Sequence, residues 1–286
     1  MTHLLSFGHG FSAKALTPLL VRDGWQVTGT TRSAEKAQVL RDTGVAPLIW
    51  PGADMRDAIT QASHILISAG PGPEGDPVLN DLRGAITDHA SQLHWVGYLS
   101  TTGVYGDHQG GWVDETTPLS PSTKRGQMRV EAEAAWQALA ADAGFPLHIF
   151  RLAGIYGPGR GPFAKVRNGT ARRIIKKDQV FSRIHVEDIA QVLNASIQQP
   201  RAGAIYNLCD DAPAPPEDVI AYAAELLGLP VPPAVDFETA EMTPMARSFY
   251  AESKKVRNDL IKSELGVTLR YPDYQTGLNA LLDLEN

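Results

Sequence analysis

The first thirteen residues constrain this chain more than any other stretch. An apolar burst at 3–7 runs directly into Gly8-His9-Gly10-Phe11-Ser12-Ala13, and a helical pattern opens at 12–22. This is G-x-G-x-x-A between a strand and a helix. The first glycine permits the tight turn, the second lets the backbone approach a pyrophosphate, and the small third residue allows close helix packing. The helix start then presents unpaired N–H groups to an anion. The surrounding strand and helix, rather than the letters alone, make Gly8, Gly10, Phe11 and Ala13 candidate cofactor contacts. His9 is expected to serve the turn rather than to act as a base.

Apolar bursts at 26–30, 47–50, 64–68, 94–99 and 146–152 alternate with helical patterns at 34–41, 55–61, 79–89 and 126–141. Alternation of this kind builds βαβ units and a parallel sheet, because each crossover must return over a sheet face. The segment H-I-L-I-S at 64–68 is apolar without alternation, as suits a strand covered on both faces. The expected fold class is α/β: a Rossmann-type doubly wound parallel sheet with a smaller C-terminal α+β lobe. After Gly154 come a loop rich in Pro158, Gly159, Gly161 and Pro162, a short element and helix over 184–192, and a late strand at 204–209. Helices are expected over 217–227 and 253–265. Residues 1–157 form the expected dinucleotide-binding domain, which 184–211 rejoins. Residues 158–183 and 212–286 form the smaller substrate-side lobe.

A chain of 286 residues can bury one large core with a lobe on top. Its net charge of -6 argues against a nucleic-acid or membrane-surface partner. The basic run Arg172, Arg173, Lys176 and Lys177 reads as a solvated helix or loop face. Cys209, the single cysteine, lies in an apolar run and is expected to pack as a small hydrophobe. No apolar stretch reaches the ~20 residues of a membrane helix, and the start lacks a basic segment followed by an apolar one. A cytoplasmic location is expected. The histidines lack ligand spacing, so no metal is expected. A small-molecule substrate is the expected partner, and a homodimer is left open.

The second strand bears on cofactor choice. A carboxylate at its end would bind a ribose 2′-hydroxyl. Here the strand ends Thr28-Gly29-Thr30-Thr31-Arg32, and the first acid is Glu35. Arg32 can meet a 2′-phosphate, so NADP(H) is preferred and NAD(H) remains open.

Five further motifs, in order, resemble those of the extended short-chain dehydrogenases, the NAD(P)-dependent epimerase/dehydratase group. They are Ala53-Asp54-Met55-Arg56-Asp57, Ser100-Thr101-Thr102-Gly103-Val104-Tyr105-Gly106, Glu115-Thr116-Thr117-Pro118-Leu119-Ser120-Pro121, Arg151-Leu152-Ala153-Gly154-Ile155-Tyr156-Gly157-Pro158-Gly159, and His185-Val186-Glu187-Asp188-Ile189-Ala190. The resemblance implies adenine-side contacts at Asp54 and Met55, further cofactor contacts at Ser68 and Ala69, and a substrate-oxygen contact at Thr101. Tyr105 and Tyr156 match motif tyrosines, usually packing or backbone-bonding residues, with Tyr156 kept as a candidate acid. Asp188 reads as a helix cap.

The departure is at the centre of the family's chemistry. Aligned on Ala132-Glu133, the family's Tyr-x-x-x-Lys falls on Arg125 and Arg129, and 117–139 contains no tyrosine. Arginine stays protonated and cannot replace a tyrosine acid/base, but it can supply a lysine's charge and ribose hydrogen bonds. A subset of the family resembles this chain in carrying Ser-x-x-Arg-Gly here. Arg129 is therefore expected at the nicotinamide ribose and Arg125 at a substrate anion. The alternative for both arginines is a solvated helix face beside Glu131 and Glu133. Three functions stay open: an NADP(H)-binding oxidoreductase or epimerase-like protein acting on a polar, anionic or nucleotide-sugar metabolite by a non-tyrosine proton route; a non-catalytic dinucleotide-binding sensor or partner-binding module; and a non-redox lyase or isomerase.

Overall fold

The computed structural model describes residues 2–285. In chain order the strands are β1 (His3–Phe7), β2 (Gln26–Thr31), β3 (Ala46–Ile49), β4 (His64–Ile67), β5 (Trp95–Thr101), β6 (Trp112–Val113), β7 (Leu147–Leu152), β8 (Gly154–Tyr156), β9 (Arg173–Ile175), β10 (Arg183–His185), β11 (Ile205–Leu208), β12 (Ala234–Asp236) and β13 (Lys255–Val256). The helices are α1 (Phe11–Arg22), α2 (Ala34–Arg41), α3 (Arg56–Gln61), α4 (Pro77–His89), α5 (Lys124–Ala143), α6 (Phe163–Arg167), α7 (Val186–Gln198), α8 (Pro216–Leu226), α9 (Pro244–Phe249), α10 (Asp259–Ser263) and α11 (Tyr274–Glu285).

Seven strands form one sheet in the order β11-β7-β5-β4-β1-β2-β3, and every pairing is parallel. The strand order reverses at β1, between β4 and β2, which opens a crevice at the carboxyl ends of the strands. Side chains alternate across the sheet with period two. Leu4, Leu66, Trp95, Leu99 and Phe150 pack on one side with Leu16 and Leu20 of α1 and Val192 and Leu193 of α7. Leu5, Ile65, Ile67, Val96, Tyr98 and Ile149 pack on the other with Val78 and Ile86 of α4 and Trp136 and Leu139 of α5. Coverage of both faces explains why every residue of β1 and β4 is buried.

The late strand, β11, pairs with β7 at the sheet edge. Around Phe163, Val166, Ala223 and Leu278 a separate apolar cluster gathers α6, α8 and α11. Short parallel pairs, β8 with β10, β9 with β12, and β6 with β13, stitch this lobe to the loops above the sheet.

Three expectations need correction. The single helix expected over 253–265 is split. Lys255 N–H donates to Gly111 O at 2.9 Å and Arg257 N–H to Val113 O at 2.9 Å, so β13 pairs with β6 before α10 begins. Distant pairing overrides the local helical pattern there. The basic run at 172–177 includes strand β9 instead of forming a helix or loop face. Asp188 is no cap: His185 Nδ1 accepts from Glu187 N–H, while buried Asp188 accepts from Arg270 N–H at 2.7 Å and Tyr271 N–H at 3.0 Å. Cys209 packs as expected, fully buried, with its thiol on Val256 O at 3.1 Å and its ionisation pushed up by burial.

Candidate functional site

The glycine turn is built from its neighbours. Gly8 has φ +77°, and a Cβ there would lie 2.9 Å from Ala69 N, so the position suits glycine on two grounds. Its N–H donates to Thr30 Oγ1 at 2.7 Å. Ser68 and Ala69 both donate from their backbone N–H to Phe7 O, which brings the end of β4 behind the turn. At Gly10 a Cβ would meet only Gly8 O, at 3.7 Å, so the bare backbone serves whatever lies in front of the turn. No side chain caps α1 and no acidic residue sits in its first turn, which leaves its positive end open to an anion. Ala13 is buried in the α1 core.

His9 is a turn residue, as expected. Its ring lies against Gly29, where a Cβ would meet it at 2.7 Å, and Nε2 pairs with Thr17 Oγ1 at 3.0 Å. Burial, helped by the Lys14 charge, pulls its pKa down to about 4, so the imidazole is neutral. Arg32 is exposed just past β2, and Ser33 caps α2. Asp54 accepts from Arg56 N–H at 3.0 Å at the start of α3, and Met55 is buried below it.

A cleft of about 1240 Å³ separates the carboxyl ends of the strands from the lobe. Phe11, Ser68, Thr101, Arg125, Arg129 and Tyr156 all line it; Gly8, Gly10, Ala13, Arg32, Asp54, Met55 and Ala69 do not. Its lining holds eight lysine and arginine side chains against one carboxylate, Glu252, in a chain of net charge -6. Such a cleft concentrates anions.

Thr101 Oγ1 accepts from Gly103 N–H at 3.2 Å at the end of β5, which leaves its proton for another acceptor. Arg129 reaches across the cleft floor. Its Nη1 donates to Leu99 O at 2.6 Å and Tyr98 Oη at 3.2 Å, and its Nη2 would meet a Cβ on Gly70 at 2.7 Å. Arg125 is exposed, with its guanidinium 5.9 Å from the Phe249 ring centre. The two motif tyrosines are engaged elsewhere. Tyr105 donates to Asn207 Oδ1 at 2.7 Å and accepts from Arg151 at 2.9 Å. Tyr156 is buried, donates to Asp273 O at 3.3 Å, and has its ionisation pushed up by burial and by Asp210.

Two features escaped the sequence reading. Glu133 is buried and forms an ion pair with Arg151 at 2.7 Å; Ser100 also donates to it. This network ties α5 to β5 and β7 below the cleft. The second is a polar cluster on the cleft wall: Ser122 donates to Glu252 Oε1 at 2.6 Å, and Lys254 Nζ lies 2.6 Å from Glu252 Oε2. A glutamate one residue after Ala132, in a helix whose register is fixed by Trp136 and Leu139, was the available signal for the first. The second had none.

Among the described residues no helix is long and apolar enough to cross a membrane, and no group of three or more His, Cys, Asp or Glu is placed to hold a metal.

Comparison with known proteins agrees with this architecture. The chain is 31% identical over 281 residues to the protein YeeZ of Escherichia coli strain K12, covering 93% of this chain and 95% of that protein. A conserved protein of unknown function from Silicibacter pomeroyi DSS superposes with a TM-score of 0.95 at 59% identity, covering 99% of each chain. MoeE5, solved with UDP-glucuronic acid and NAD, superposes with a TM-score of 0.79 at 21% identity over 99% of this chain and 98% of its own. Residues 84–209 match the model of the NAD dependent epimerase/dehydratase family, and with the all-parallel sheet and glycine turn in place the chain belongs to that family.

Proposed function

We propose that this protein binds a nicotinamide dinucleotide at the Gly8 turn and a phosphate-bearing sugar in the adjoining cleft, and that it acts there as an oxidoreductase or epimerase without a tyrosine acid/base. One observation carries this reading: the open, uncapped start of α1 leads into a cleft whose lining has eight cations and one carboxylate. The residues present fit a dinucleotide. Gly8 and Gly10 leave backbone free for a pyrophosphate, Arg32 is exposed where a ribose 2′-phosphate would lie, and Arg129 stands by Gly70 for the nicotinamide ribose. When bound, the dinucleotide supplies hydride acceptance and donation. MoeE5 holds both NAD and UDP-glucuronic acid on the same fold, which favours a nucleotide sugar. Arg125 and its neighbours would grip the substrate's anionic part, and Thr101 Oγ would donate to its reacting oxygen.

A dinucleotide-binding protein without turnover is the second reading. It is favoured by Tyr105 and Tyr156, whose hydroxyls are both committed to the protein.

Thermal unfolding with NADPH and with NADH at equal concentration tests the cofactor, since a ligand of the native state raises the melting temperature by mass action. NADPH is expected to give the larger rise. Calorimetric titration with UDP-glucose should yield binding that Arg125→Ala weakens about tenfold while cofactor affinity is unchanged. No melting shift with either dinucleotide at millimolar levels rejects the proposal.

A further inference from the structure

The family's tyrosine position carries Arg125, and the wall it faces is supplied by the distant segment 249–254. Phe249 lies under the Arg125 guanidinium, and Glu252 accepts from Ser122, so the Ser-x-x-Arg sequence ahead of α5 is where this segment lands. Glu252 is the one carboxylate in the cleft lining.

Its placement is over-determined. Gln179, itself buried, donates from Nε2 to Glu252 O at 2.7 Å. Ser253 N–H donates to Asp107 Oδ1 at 2.8 Å, and Ser253 Oγ to Asp178 O at 2.8 Å. Lys254 Nζ binds both Glu252 Oε2 and Gly106 O, the latter at 2.7 Å, at the end of the segment that begins with Ser100 and Thr101. A surface ion pair would not need this scaffold. Fixed backbone on both sides and one defined partner per carboxylate oxygen are what a proton-transferring group requires. Each oxygen keeps a lone pair beyond its present partner.

We propose that Glu252, held by Ser122 and Lys254, exchanges a proton with the substrate hydroxyl in place of the missing tyrosine. The proposal rests on the function proposed above. In the oxidative direction the hydroxyl O–H bond breaks and its proton passes to Glu252. The C–H electron pair leaves as hydride to the oxidised nicotinamide, and a carbonyl forms. Reduction returns the proton from Glu252 to oxygen. Ser122 aims one carboxylate oxygen, and Lys254 holds the other.

The test uses the full chain, NADP⁺ or NAD⁺, and UDP-glucose and UDP-glucuronic acid as probes. Reduction of the dinucleotide should fall about 10²–10⁴-fold in Glu252→Gln, with KM changed far less. Glu252→Ala should be equally slow and recover rate when formate is added, which a purely structural role would not produce. A second readout needs no cofactor: infrared difference spectra on adding UDP-glucose should contain a carboxylate band that Glu252→Gln removes. Equal melting-temperature shifts with dinucleotide in wild type and both variants verify folding. Wild-type rates in Glu252→Gln, no formate rescue, or no reduction by the wild type with both ligands bound overturns the proposal. Absence of any dinucleotide shift in the wild type instead identifies failure of the cofactor reading beneath it.

Discussion

The two sides of the cleft are built by opposite means. On the glycine-turn side, Gly8, Gly10 and Ala13 lie in one strand–turn–helix unit, backed by Thr30 of β2 and by the end of β4. On the α5 side, the groups that face the cleft are held by residues far away in the chain. Ser122 and Glu252 are 130 residues apart, and Lys254 reaches back 148 residues to Gly106. The first side is mostly backbone shape, and its Arg32 is exposed, so a change at that residue leaves the core alone. The second is assembled only when the sheet, the lobe and the loops above them have come together, so a change there is felt in stability as well as in binding.

The largest contrast should come from Glu133→Ala. It leaves the Arg151 guanidinium buried without its partner, which costs about 3–5 kcal/mol. Urea denaturation should give a loss of that size, and a loss under 1 kcal/mol would show that the network does not hold α5 in place. Arg129→Ala should weaken NADP(H) binding by about 1–3 kcal/mol in calorimetry, through the lost charge-assisted hydrogen bond. Wild-type affinity would leave that arginine as a brace between Leu99 O and the β4 loop.

Arg32→Glu sharpens the comparison from the other side. It should reverse the order of NADPH and NADH in the melting assay with the apo melting temperature unchanged, because the side chain is exposed and packs against no core. An unchanged order would remove Arg32 from the site. The last expected effect is confined to acid pH and concerns His9. Its folded pKa, about 4, lies below the unfolded value near 6.5, so the unfolded chain binds the extra proton first. His9 therefore lowers stability as pH falls from about 6.5 to about 4, and not above. His9→Gln should flatten that stretch of the stability–pH curve, and an identical slope would mean the imidazole charges freely in the fold.

The sequence reading caught the elements whose signals are local and periodic. The glycine turn, helix α2 over 34–41 and the late strand rejoining the sheet are all in place, because strand and helix periods and turn residues are written within a few positions. The motifs carrying Thr101, Arg125, Arg129 and Tyr156 also meet in one cleft. The misses are of another kind. Helix α11 was not foreseen, and 253–265 was assigned a helix where β13 pairs with β6. Nothing local marks Glu133 for burial, since a carboxylate is ordinarily exposed; only the arrival of Arg151 from β7 makes its burial tolerable.

By itself, then, the sequence determined the parallel sheet, the dinucleotide-type turn and the loss of tyrosine from α5. These follow from residue type and spacing along a short stretch of chain. Tertiary structure alone decided that Glu133 lies beneath the cleft, that both motif tyrosines are occupied, and that Glu252 meets Ser122 on the cleft wall. Each depends on a polar partner from a remote element. Hydrogen bonds and ion pairs of that kind are short-ranged and directional, and their partners leave no mark on the local pattern until the fold brings them within reach.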